Sequence, residues 1–118
     1  MHTLTEHPID AGTKETAFAF LDRAAKAFPV KGAILFGSRA KGGFRPDSDA
    51  DIAVVLPGPR GQFMTAKLMM ADMAFDVLLE TGIRVQPLPV WEDEWAHPES
   101  YSNPALLRNI ESDGVRLW

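Results

Sequence analysis

Ala33-Ile34-Leu35-Phe36-Gly37-Ser38-Arg39 and Ser48-Asp49-Ala50-Asp51-Ile52-Ala53-Val54 are the two stretches on which the reading of this chain turns. The first is a short, wholly apolar run that stops at a glycine, the pattern of a buried strand. Gly37 to Gly42 then reads as a turn that opens a short helix, and Gly43 to Ser48, with Pro46 and polar neighbours, as a loop. In the second stretch the residues alternate. Asp49, Asp51, Ala53 and Val55 face one way, and Ala50, Ile52, Val54 and Leu56 the other, so Asp49–Leu56 is predicted as a second strand.

Working outward, apolar residues at Ala17, Phe18, Leu21, Ala24, Ala25 and Phe28 recur at spacings of three and four, which predicts an amphipathic helix over Thr13 to Phe28, stopped by Pro29. Pro57-Gly58-Pro59-Arg60-Gly61 reads as a loop open to motion, and residues 63–80 as a second long helix with Phe63, Leu68, Met69, Met73, Val77 and Leu78 among its apolar positions. The methionines there are expected to fill the core. Gly82 stands where a helix C-terminal glycine belongs. Ile83 to Val90 is predicted as a third strand, with Pro87 and Pro89 marking it as an edge or a frayed end. Asn103-Pro104 begins a last helix, Gly114 ends it, and Val115-Arg116-Leu117-Trp118 is a candidate final strand. Residues 1–12 are expected to be a polar tail, and 13–118 a single α/β (α+β) domain.

The two stretches carry the chemistry. Asp49 and Asp51, two apart on a strand, project from one face about 7 Å apart at a rise of ~3.4 Å per residue. Two such acids repel each other unless a cation sits between them. Mg²⁺ suits them, because it takes one or two carboxylates together with phosphate oxygens. Gly37 permits close backbone approach. The helix-start N–H groups and the Ser38 hydroxyl offer donors to phosphate. Arg39 and Lys41 add positive charge. A strand, a phosphate-binding turn and paired acids on the next strand make a nucleoside-triphosphate site. Taken singly, each part has a plainer reading: Ser38 as a helix cap, the acids as ordinary surface residues.

Gly37-Ser38-Arg39-Ala40-Lys41-Gly42 together with Ser48-Asp49-Ala50-Asp51-Ile52-Ala53-Val54 resembles the signature of the DNA polymerase beta-like nucleotidyltransferase superfamily, and the short chain resembles its minimal nucleotidyltransferase branch. The resemblance implies a mixed-sheet polymerase beta-like fold with flanking helices, Mg²⁺ dependence, and transfer of a nucleoside monophosphate from ATP. By that likeness Gly37 and Ser38, with Arg39 as a charge stabiliser, hold the nucleotide, and Asp49 and Asp51 are the catalytic metal ligands. Minimal members are commonly paired with an HEPN-domain protein as toxin–antitoxin modules. In these the nucleotidyltransferase is the antitoxin and can adenylylate a tyrosine of its partner.

The sequence departs from the superfamily at one place. Members that build polymers carry a third acid on the following strand. Here that strand reads Ile83-Arg84-Val85-Gln86-Pro87-Leu88, with no carboxylate. A sugar hydroxyl then makes a poor acceptor, while a tyrosine phenol, with a pKa of about 10, needs less help. The alternative is a non-catalytic module of the same fold that inhibits its partner by occlusion. Asp76 and Glu80 are conceivable substitutes but read more simply as solvated helix residues. Glu92-Asp93-Glu94, between Trp91 and Trp95, reads as an acidic rim beside tryptophans that close the core edge, with partner docking as the rival. His2, His7 and His97 show no ligand spacing.

Composition bounds the rest. With 118 residues, 46% hydrophobic and 24% charged, the chain has room for one globular domain. The formal net charge of −4 and scattered basic residues argue against bulk nucleic-acid binding. The absence of cysteine excludes disulfides and thiolate metal sites and suits a cytoplasmic location. The N-terminus shows no basic-then-apolar signal pattern, and no apolar run is long enough for a membrane span.

Overall fold

The computed structural model describes residues 1–118. The elements are β1 (His2–Thr3), α1 (Ala11–Ala27), β2 (Gly32–Phe36), α2 (Ser38–Lys41), β3 (Ala50–Leu56), α3 (Phe63–Thr81), β4 (Val85–Trp91), α4 (Glu92–Ala96), a 3₁₀ turn (Pro98–Ser100), α5 (Pro104–Asp113) and β5 (Val115–Arg116). The strands form one mixed sheet in the order β1-β5-β2-β3-β4. β2 is antiparallel to β3 and β5; β3 is parallel to β4, and β1 to β5.

The alternation along β3 sorts the two faces. Ala50, Ile52, Val54 and Leu56 are buried on one face with Phe20, Leu21 and Ala24 of α1 and with Met70 and Val77 of α3. Ala53 and Val55 face the other way, among Ile34, Val90 and, from α5, Leu107 and Ile110. Asp51 shares this second face, beyond the end that α5 covers. There the row Phe36–Asp51–Gln86, aligned across β2, β3 and β4, is only half-buried or open.

Local signals explain the element ends. The Asp10 side chain accepts from the Thr13 N–H at 3.1 Å and caps α1. Asn103 accepts from the Leu106 N–H at 3.2 Å and caps α5, with Pro104 at its first position. Gly82 takes φ +79 and closes α3.

The prolines make β4 a closed edge. The Ala50 N–H donates to the Arg84 carbonyl at 2.8 Å. By strand alternation Gln86, Leu88 and Val90 therefore turn their backbone groups toward β3, and Pro87 and Pro89 turn theirs outward, where neither has an N–H to offer a further strand. The Pro87 carbonyl already accepts from Lys67 Nζ at 3.0 Å.

Several expectations need correction. The N-terminal twelve residues are not an irregular tail: His2–Thr3 pairs with Val115–Arg116, which gives the short β5 a partner on its open side. α1 begins inside that stretch, at Ala11. Glu92–Ala96 is a helix. The Pro57–Gly61 loop is tied down, with the Gly58 N–H donating to Glu92 at 3.1 Å and Arg60 paired with Glu94 at 2.9 Å. Trp91 is buried in the core and Trp95 packs on the second cluster, so the tryptophans do close the core edge. On α3 the buried row is Ala66, Met70, Ala74 and Val77, while Met64, Leu68 and Met69 are exposed; only some of the methionines fill the core.

Candidate active site

The bend after β2 and the first acid of β3 meet. Gly37 has φ +75 and ψ −159, a region essentially reserved for glycine. A Cβ built on Gly37 would collide with the Asp51 carboxylate. The glycine is therefore required twice, once for its backbone and once because the acid occupies the space beside it.

Asp51 sits between Phe36 and Gln86 in the sheet register. Partial burial raises its pKa above the ordinary 3.8, and the neighbouring Asp49 raises it further. A half-buried carboxylate with a second negative charge close by is a site that a cation would relieve. The donor set suits a hard divalent ion: two carboxylates, and backbone brought close at Gly37. Asp49 lies one residue before β3, partly buried, in a shallow groove with Ser48, Leu78, Gly82 and Arg84.

Ser38 is exposed at the start of α2 and does not cap it; the helix N-cap is Gly37. The first N–H groups of α2 have no acceptor within their own helix. Ser38 directly follows the glycine that lies against the Asp51 carboxylate.

Arg39 has a different task from the one expected. It is 3% exposed. Its Nε donates to the Ser48 carbonyl at 2.8 Å, Nη1 to Thr13 Oγ1 at 2.8 Å, and Nη2 to the Pro46 carbonyl at 3.0 Å. Its Cζ lies 4.5 Å from the centre of the Phe44 ring. Thr13 in turn donates its hydroxyl proton to Asp10. Burial would lift the Asp10 pKa, but the Thr13 hydroxyl and N–H, with Arg39 nearby, outweigh it and hold the carboxyl below its usual value. The guanidinium is thus a brace from the N-terminus of α1 to the loop that delivers Asp49, with every nitrogen engaged inside the protein. This corrects its expected place against phosphate.

Thr13, Asp10 and Phe44 carry no motif that marks them in the sequence. The available signal was a threonine at an inward position of an otherwise apolar helical stripe. His7 also has a place: its Nε2–H donates to the Ala40 carbonyl at 2.8 Å and pins α2 from the N-terminal segment. No group of three or more His, Cys, Asp or Glu side chains is placed to hold a metal. Gln86 stands in register with Asp51 where a third acid would be sought, and Arg84 lies beside Asp49. Asp76 is exposed on α3, and Glu80 is paired with Arg23, so neither substitutes.

Residues 19–113 match the nucleotidyltransferase domain family, and the chain belongs to it. The fold is similar to the crystal structure of a candidate nucleotidyltransferase from Sulfolobus solfataricus, with a TM-score of 0.54 at 23% identity, over 90% of this chain and 79% of that one. No curated protein matches the sequence. The chain is a minimal nucleotidyltransferase of the polymerase beta-like superfamily, a family that generally uses a divalent metal. No helix is long and apolar enough to cross a membrane.

Proposed function

We propose that this nucleotidyltransferase binds ATP with Mg²⁺ and transfers AMP to a hydroxyl, namely a tyrosine of an HEPN-type partner, which it silences as an antitoxin in the cytoplasm. The observation that carries the proposal is the convergence of Gly37 and Asp51, with Asp49 close enough to perturb Asp51.

In this reading Asp49 and Asp51 hold the cation. Gly37 backbone and the Ser38 hydroxyl hold the β- and γ-phosphates. Bound there, the metal supplies charge neutralisation for the triphosphate and the leaving pyrophosphate. Arg39 contributes by fixing the loop before Asp49. The acceptor oxygen forms a bond to the α-phosphorus while the bridging bond to the β-phosphate breaks, and pyrophosphate leaves. With Gln86 in place of a carboxylate, the acceptor proton departs to water. That favours a phenol, with a pKa of about 10, over a sugar hydroxyl. Rate acceleration comes from positioning and electrostatics.

Gln86 also supports a second reading, a non-catalytic module that inhibits its partner by occlusion. The experiment is intact-mass analysis of the partner incubated with this protein and ATP, with and without Mg²⁺. A mass gain of one AMP in the wild type and none with Asp49→Asn supports transfer. Equal modification by Asp49→Asn refutes the assigned mechanism. Inhibition without nucleotide and without a mass gain selects occlusion.

A further inference from the structure

α3 has two apolar faces, and the fold uses one. Ala66, Met70, Ala74 and Val77 are buried against the sheet and α1. Met64, Leu68, Ala71, Phe75 and Leu78 lie on the other side at alternating steps of four and three, the a and d spacing of a helix-pairing seam. Met64 is 59% exposed, Leu68 60% and Phe75 51%; Leu79, on the flank, is 73% exposed. Sixteen residues from Met64 to Leu79 make a stripe about 24 Å long at 1.5 Å per residue. An apolar row of this length on a soluble domain marks a contact surface.

We infer that this seam pairs with the same seam of a second copy, the two α3 helices running parallel about a two-fold axis. Charge sets both the occupant and the direction. With Leu68 and Phe75 at a, and Met64, Ala71 and Leu78 at d, Lys67 falls at g and Asp72 at e. In a parallel pair a g residue faces the e residue five positions on in the other helix. Lys67 Nζ, which donates one N–H to the Pro87 carbonyl of its own chain at 3.0 Å, therefore turns its remaining N–H donors toward Asp72 of the other copy, twice by symmetry. An antiparallel pair sets like flank on like flank. Asp72 of one copy then faces the e flank of the other, which carries Asp72 with Asp76 behind it at b, and Lys67 gains no acid. Pairing through the β4 edge of the sheet is closed, because Pro87 and Pro89 offer no outward N–H.

The seam reaches the candidate site. Leu78 lines the groove that holds Asp49 and Arg84, and also the adjoining groove with Phe75 and Gln86. A second copy on α3 therefore forms one wall of the approach to Asp49. The pairing itself stands whatever reaction the site performs.

Sedimentation equilibrium of the full chain across a micromolar range tests this. The expected mass is twice the 13.0 kDa of one chain. Leu68→Glu is expected to weaken association at least about tenfold, with an unchanged circular dichroism spectrum because the side chain is exposed. Lys67→Glu alone weakens it, and Lys67→Glu with Asp72→Lys restores it. The chain has no cysteine, so Met64→Cys gives a clean reading of direction. Residues of equal number near a helix end face each other only in a parallel pair, and oxidation is expected to link Met64→Cys to itself. A monomer at all concentrations, as when the seam serves a helix of another protein, overturns the inference. So does a dimer that survives Leu68→Glu, or a dimer in which Met64→Cys does not cross-link.

Discussion

Arg39 Nε donates to the carbonyl of Ser48 at 2.8 Å, and Ser48 is the residue before Asp49. A buried guanidinium thus decides where one of the two acids stands. The same side chain reaches Thr13 on α1, so the loop, the short helix and the first long helix are joined at a single planar group.

Arg39→Lys is expected to fail where a conservative exchange at the surface would pass. An ammonium cannot match three acceptors arranged for a planar fork. The Pro46 and Ser48 carbonyls lose donors but can turn to water, so the loss falls mainly on the buried end of the fork at Thr13, where a buried polar group left unpaired costs about 1–3 kcal/mol. Urea unfolding should show that loss, and calorimetry should show weakened Mg²⁺-dependent ATP binding. Wild-type stability and binding in Arg39→Lys would refute the bracing role.

Gly37→Ala should be worse than strain alone predicts. The backbone region costs of order 1–3 kcal/mol for an alanine, and the new methyl also meets the Asp51 carboxylate. The two sites must then couple. In an Asp51→Gly background the same Gly37→Ala change should cost less, leaving only the backbone component. A thermal-melt double-mutant cycle measures the difference. Additive effects would mean that the contact has no energetic weight.

These two positions show what a sequence discloses. The Gly-Ser bend and the D-x-D strand were legible because their chemistry is written in adjacent residues and a period of two. The strand order and the place of Arg39 were not. A guanidinium next to a phosphate-binding turn reads as a phosphate contact until Thr13, Pro46 and Ser48 are seen around it. Likewise α3 carries apolar residues on two sides, and its period of 3.6 reports a helix without saying which stripe the sheet takes. The pairing of His2–Thr3 with Val115–Arg116 left no local mark, since it joins the two chain ends.

Asp51 is expected to cost stability at neutral pH. Its folded-state pKa lies above the ordinary 3.8, through burial first and Asp49 second. The sign follows from linkage. Below the unfolded value the group is protonated in both states and exacts no penalty. As pH rises through the folded value, the folded protein must give up a proton it holds more tightly than the unfolded chain does, and stability falls. Asp51→Asn should therefore melt higher than wild type at pH 7, and the gain should shrink toward pH 4. Adding Mg²⁺ should raise the wild-type melting temperature by mass action and leave Asp49→Asn and Asp51→Asn nearly unmoved. An Asp51→Asn gain that stays constant with pH would point to packing instead of charge.

Gln86→Asp tests the missing acid directly. Gln86 is exposed and in register with Asp51, so the substitution adds a third carboxylate on the same face without disturbing the core. Without a cation, three acids repel more than two, and the variant should melt below wild type. With Mg²⁺ the order should narrow or reverse, because the added ligand tightens the ion and the ion then stabilises more. Acceptor choice should shift as well. A carboxylate beside the site can take the proton of a poorly acidic hydroxyl, so transfer to a sugar hydroxyl should appear or rise relative to transfer to a phenol. Melting curves with and without Mg²⁺, and product masses with each acceptor, measure both effects. A Gln86→Asp variant whose Mg²⁺ response equals that of wild type would place position 86 outside the metal's reach.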